Sequence, residues 1–83
     1  MLERFRFFDD PENIKKCKRL VHSLVGMFTL DTLVFPQRFD MEEDTFFVLN
    51  ITYYYNQNHI VYNSKVILEE KTYDIQIEKQ LYL

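Results

Sequence analysis

The sequence predicts an α+β fold: one amphipathic helix packed on an antiparallel sheet of about four to five strands, in β-α-β-β-β-β order. Three observations point there. Residues 11–28 form a capped stretch with one apolar side. From Thr29 onward β-branched and aromatic residues replace helix formers, and the apolar period drops to two. Short polar breaks then divide this second half into pieces of strand length.

At the N-terminus, Leu2-Glu3-Arg4-Phe5-Arg6-Phe7 alternates, with Phe5 and Phe7 on one side and Arg4 and Arg6 on the other, which reads as a short strand. Asp10 can accept from the free amides of a helical first turn, Pro11 suits the first helical position and Glu12 favours the positive end of the dipole. At 100° per residue, Ile14, Cys17, Leu20, Val21, Leu24, Val25, Met27 and Phe28 fall in one arc of about 160°. The spacing therefore predicts a helix over 11–28. Leu30 to Phe35 reads as a strand stopped by Pro36, and Gln37 to Asp44 as a polar, acidic connection. Thr45 to Tyr55, Ile60 to Glu69 and Thr72 to Leu81 read as three strands of a meander, turned at 56–59 and 70–71.

The 83 residues make one compact domain, 1–83, without repeat, linker or low-complexity tract. A hydrophobic content of 47% with 28% charged residues excludes the disordered class. Acidic groups outnumber basic ones by 13 to 10, which argues against a general polyanion binder. The charge is uneven: residues 1–39 carry seven basic and five acidic groups, residues 40–83 three and eight. One cysteine, Cys17, excludes an internal disulfide framework and suggests a reducing compartment. No stretch has a membrane-spanning length, and charges interrupt the N-terminus before a signal-peptide core could form, so a cytoplasmic protein is expected. Scarce Ala, Gly and Pro beside abundant Phe, Ile, Asn, Lys and Tyr resemble the codon bias of an AT-rich genome, such as that of a phage, a virus or a low-GC bacterium.

Catalysis and metal binding find no support. Cys17 lies on the apolar side of the helix, about 140° from His22, so the two cannot pair as nucleophile and base. His59 falls in a turn without an identifiable partner. One glycine rules out a glycine-rich phosphate loop, and no His or Cys pair has zinc spacing. The acidic run Asp40-Met41-Glu42-Glu43-Asp44 lacks the ligand alternation of a calcium loop. Asn50-Ile51-Thr52 matches a glycosylation acceptor but falls in mid-strand. No catalytic residue, cofactor or metal is expected.

Binding is the better reading. In the long strand, alternation sends Phe47, Leu49, Ile51, Tyr53 and Tyr55 towards the helix, and Phe46, Val48, Asn50, Thr52 and Tyr54 away from it. A single helix covers one face, which leaves Phe46, Val48, Tyr54, Val61 and Ile67 as an outer apolar surface rimmed by Glu42, Glu43, Asp44, Glu69 and Glu70. The expected function is that of a small, non-enzymatic protein-binding module that occupies a partner protein through this surface. Size, acidity and composition would fit a phage or viral inhibitor of a host factor. Two alternatives accompany this reading. One is a nucleic-acid accessory protein that uses Lys15, Lys16, Lys18, Arg19 and His22 on the solvent side of the helix. The other is a structural homodimer built on the same sheet face.

Overall fold

A computed structural model describes residues 10–81. Helix α1 spans Pro11–Met27, a short 3₁₀ turn follows at Leu30–Thr32, and four strands complete the chain: β1 Gln37–Met41, β2 Asp44–Asn56, β3 His59–Leu68 and β4 Lys71–Gln80. The strands pair in sequence order, every neighbour antiparallel. This is an α+β fold with a four-stranded sheet. Among the described residues the helix comes first; the strand expected over residues 2–7 lies outside them.

The helix forms as its sequence dictates. Asp10 adopts an extended conformation and its carboxylate accepts from the Glu12 amide at 2.9 Å, with Pro11 entering the first turn. Cys17, Leu20, Val21 and Leu24 are buried against β3 and β4, with Ile14 and Val25 packed beside them. Asn13 is 4% exposed, and its amide donates to the Glu69 carboxylate at 3.1 Å and the Tyr73 hydroxyl at 3.3 Å. A buried polar group needs such partners; here they register the start of α1 against the β3–β4 turn.

Two of the expected elements change character. Leu30–Phe35 is not a strand. Leu30 to Thr32 form the 3₁₀ turn, closed by the Thr32 and Leu33 amides donating to the Thr29 and Leu30 carbonyls, while the Thr32 hydroxyl donates to the Thr29 carbonyl at 2.7 Å. Local bonds thus replace ladder bonds, and Leu30, Leu33 and Phe35 still reach the core. The Phe35–Pro36 peptide is cis. Conversely, Gln37–Met41 is a strand, not a connection. It sits at the sheet edge, where charged side chains are tolerated, with Phe39 and Met41 turned to the core and Arg38 and Asp40 to water.

The decisive feature is a bulge in β2. Val48 pairs with Val66 and Asn50 with Lys65, so Leu49 is an extra residue without a cross-strand partner. An extra residue reverses the alternation of everything on one side of it. Phe46 and Val48 therefore share the helix-facing side with Ile51, Tyr53 and Tyr55, and both are 0% exposed. Phe47, expected to point inward, is 45% exposed on the other face.

The three hairpin turns contain two residues each and no glycine; the chain's single glycine, Gly26, is in α1. Left-handed backbone is supplied by Glu42 (φ 58°), Gln57 (φ 56°), Glu69 (φ 55°) and Glu70 (φ 67°). The β3–β4 turn uses two such residues in succession, as the right-handed twist of a tight hairpin favours.

Candidate interaction surface

The outer face of the sheet is not the apolar surface that alternation suggested. Phe46 and Val48 belong to the core. Val61 does lie on the outer side, across from Tyr54 and Glu78, but is only 2% exposed, and Ile67 is half-buried. Of the five apolar residues expected there, Tyr54 alone is well exposed. The centre of the face is a polar ladder. Lys65 pairs with Asp74 at 2.7 Å, Gln76 donates to Asn63 at 3.2 Å, and the Asn50 side-chain oxygen accepts from the Lys65 amide at 3.3 Å. A depression of about 400 Å³ lies over these residues, and most of its polar side chains bond within it.

The acidic rim and the basic side of the helix, read from sequence as separate surfaces, meet at one end of the molecule. Glu42 and Glu43 form the β1–β2 turn, Asp44 opens β2, and Glu69 and Glu70 form the β3–β4 turn. Lys16 reaches Asp44 at 3.2 Å and Arg19 approaches Glu42 at 3.9 Å. The hydrogen bond to Asp44 raises the Lys16 pKa; loss of hydration opposes it, and the charges of Asp44, Glu69 and Glu12 add to the rise. Lys15, Lys18 and His22 remain directed to water. On the edge strand, the Arg38 guanidinium contacts both Asp40 oxygens at 3.2 Å and, with Thr45, holds that carboxyl below its ordinary range.

Cys17 is 0% exposed, and burial pushes its thiol up to about 11, so it stays a protonated core side chain. No group of three or more His, Cys, Asp or Glu able to hold a metal ion occurs among the described residues. Among the described residues no helix is long and apolar enough to cross a membrane.

Exposed apolar side chains gather elsewhere, at the end of the molecule where α1 stops. A 17-residue helix is about 25 Å long, whereas the 13-residue β2 extends for about 43 Å. The sheet therefore outruns its cover. On the helix-facing side of that overhang, Tyr53 is 51% and Tyr55 65% exposed, while Phe28, just past the helix, is 44% exposed. Phe28 belongs to two depressions. One, of about 290 Å³, lies between Phe28, Leu30 and Asp31 on one side and Tyr53, Tyr55, Ile60 and Tyr62 on the other. The second, of about 580 Å³, runs from Phe28 past Leu33 and Val34 to Pro36 and Phe39. Val34, on its wall, is 73% exposed.

No protein-family model, curated protein or solved structure matches the chain. The functional reading therefore rests on the surface itself.

Within that surface the tyrosine rings hold one another. Tyr53 meets Tyr55 edge to face with centroids 5.9 Å apart, and meets Tyr62 at 6.2 Å with the rings tilted. Such contacts fix rings that would otherwise swing in solvent. Burial, with the neighbouring Tyr55 and Tyr53 hydroxyls adding to it, raises the Tyr62 pKa, so its hydroxyl remains a donor. The helical arc places Phe28 inward, the expected strand over 30–35 contains Val34, and alternation turns Tyr53 and Tyr55 towards the helix. Comparing the predicted helix and strand lengths would have shown the overhang that exposes the two tyrosines.

Proposed function

We propose that the chain is a protein-binding module that acts by occupying a partner, through the surface at the C-terminal end of α1 and not through the outer face of the sheet. The observation that supports this is the continuity of Phe28 with Tyr53 and Tyr55 on one side and Val34 on the other, in two adjoining depressions. These four side chains are all large, apolar or aromatic, and 44–73% exposed. Leaving such surface in water forgoes roughly 25 cal/mol per Å² that burial would recover, which is what a partner would supply. Fixed tyrosines suit contact surfaces because they present broad area with few rotatable bonds. The outer face offers Tyr54 and Phe47 around a self-satisfied polar ladder, and the solvent side of α1 has part of its charge tied to Asp44 and Glu42.

The test is affinity capture from the source cell with the full chain and three surface variants, alongside light scattering for oligomeric state. A Val34→Asp, Tyr55→Asp chain should lose the captured protein, whereas Tyr54→Asp and the pair Lys15→Ala, Lys18→Ala should retain it. Retention by the first variant with loss in either of the others would move the contact to the outer face or to the helix.

A further inference from the structure

We infer that the outer edge of β4 is a docking edge for residues 2–7 of the same chain, which pair antiparallel with it, Arg6 across from Asp74 and Phe5 across from Ile75. Residues 2–7 lie outside the described ones; their sequence and the surroundings of β4 carry the inference, which goes beyond the docking surface proposed above and does not depend on it. β4 is ten residues long and pairs with β3, so no described strand lies along its other edge. Natural sheets keep such edges short, charged or covered. β1, at the opposite edge, has five residues. α1 lies mainly over β4 and less over β3, so one flank of the helix reaches past the last described strand. Lys16 extends to Asp44 on the β2 side. Ile14, about 200° away round the helix axis, faces the other flank and is half-buried. A strand beside β4 would complete its cover.

Direction follows from the helix. Asn13 bonds to Glu69 and Tyr73 at the start of β4, whereas Val25 and Phe28 share a depression with Tyr62, which pairs with Ile77 near its end. α1 therefore runs in the sense of β4, and a strand that enters it through a short connection runs the opposite way. Residues 8–10 reach at most about 10 Å, roughly one packed layer, so residue 7 must end close to Tyr73. Side-chain period and charge then select the register. β4 sends Tyr73, Ile75 and Ile77 to the core and Thr72, Asp74, Gln76 and Glu78 outward. Phe5 and Phe7 alternate with Arg4 and Arg6. With Phe7 across from Tyr73, Phe5 meets Ile75 on the helix side, below Ile14. Arg6 and Arg4 fall on the outer face across from Asp74 and Gln76, with Glu78 diagonal to Arg4. The Asp74 side chain is 80% exposed and has room for a second cation beside Lys65. A slip of one residue would turn both arginines under the helix and both phenylalanines into water.

The test combines cross-linking and hydrogen exchange in the full chain. Arg6→Cys with Asp74→Cys, in a Cys17→Val background, should close a disulfide within one chain on air oxidation, because residues directly opposite in an antiparallel pair bring their Cβ atoms to about 4.5–5.5 Å. Arg6→Cys with Asp40→Cys, at the opposite edge of the sheet, should not. In the unaltered chain the β4 amides that do not bond to β3 should be protected from exchange, as paired amides are. Phe5→Asp should speed their exchange at least about tenfold while the amides bonded to β3 keep their protection. Arg6→Glu should weaken the same protection, and adding Asp74→Arg should restore it. Absence of the disulfide within one chain, or free exchange of the edge amides in the unaltered chain, overturns the inference. A disulfide between two chains, with edge protection that rises with protein concentration, gives the edge to a second copy and overturns it as well. If Phe5→Asp loses protection throughout the sheet, the variant has unfolded and the cross-link decides.

Discussion

Phe46 and Phe47 are adjacent, chemically identical and opposite in fate, and their truncation discriminates the bulged register from simple alternation. Phe46 is 0% exposed within the helix–sheet core, next to Val48, Leu68 and Val66. Truncating a buried Phe to Ala removes its transfer free energy and leaves a cavity, about 3–5 kcal/mol in all. An 83-residue domain at about 0.05–0.15 kcal/mol per residue has roughly 4–12 kcal/mol to lose. Phe46→Ala should therefore remove a large share of the stability. Phe47 is 45% exposed on the outer face; about half of the 1.5–3 kcal/mol gained on full burial is at stake, close to 1 kcal/mol. Urea unfolding followed by circular dichroism, with an unchanged denaturant slope, measures both. Should Phe46→Ala fail to fold, Phe46→Leu against Phe47→Leu preserves the comparison at about 1–2 against less than 0.5 kcal/mol. A larger loss at Phe47 than at Phe46 would refute the bulge at Leu49 and restore uninterrupted alternation.

Further outcomes follow from the turns, the buried amide and the thiol. Glu70→Gly should stabilise the fold by about 1 kcal/mol, because a side chain in left-handed backbone costs roughly that much; thermal denaturation would register a rise of about 4–8 °C. Glu69→Gly should give less or reverse sign, since it also removes an acceptor of the buried Asn13 amide. Tyr73→Phe should cost about 0.5–1.5 kcal/mol in urea unfolding by removing the other, with no change in secondary structure. The Cys17 thiol ionises near 9.0 when free and at about 11 in the fold. The unfolded chain thus releases this proton first, and stability declines as pH rises from about 9 to 11. Cys17→Val should flatten that part of the profile, and below pH 9 the native thiol should react with a disulfide reagent no faster than the chain opens.

How much of this was legible from residues alone depends on whether the determining signal is local. Helix α1 announces itself through Asp10, Pro11 and a single apolar arc, all within five turns of chain. The β2–β3–β4 meander is legible because turn-prone polar pairs separate β-branched and aromatic runs. Gln37–Met41 shows the same period of two, but its charges, which an edge strand tolerates, made it look like a loop. Leu30–Phe35 carries β-type residues, yet Thr29 and Thr32 close a local turn before any ladder can form. The bulge left no mark, because Leu49 is neither glycine nor proline and only its missing partner identifies it. That single residue reassigns Phe46, Phe47 and Val48, and with them the surface expected to bind. Of the acidic rim residues, Glu42, Glu43 and Glu70 fall in turns as the sequence suggests, whereas Glu69, expected to end a strand, completes the β3–β4 turn and Asp44, expected in a connection, opens β2; the pairing of Asp44 with Lys16 and of Glu42 with Arg19 depends on tertiary contacts that sequence spacing does not carry.

The difference in length between α1 and β2 also makes the amount of uncovered aromatic surface adjustable by a simple change in the chain. The overhang of about 18 Å corresponds to a little over three helical turns of 5.4 Å. Each turn added after Met27, with a Leu or Val on the sheet side, would lengthen the cover by about 5.4 Å, and each turn removed would shorten it by as much. Solubility and adhesiveness at this end are thus governed by where one helix stops, and the core between Cys17 and Leu24 need not alter for either to change.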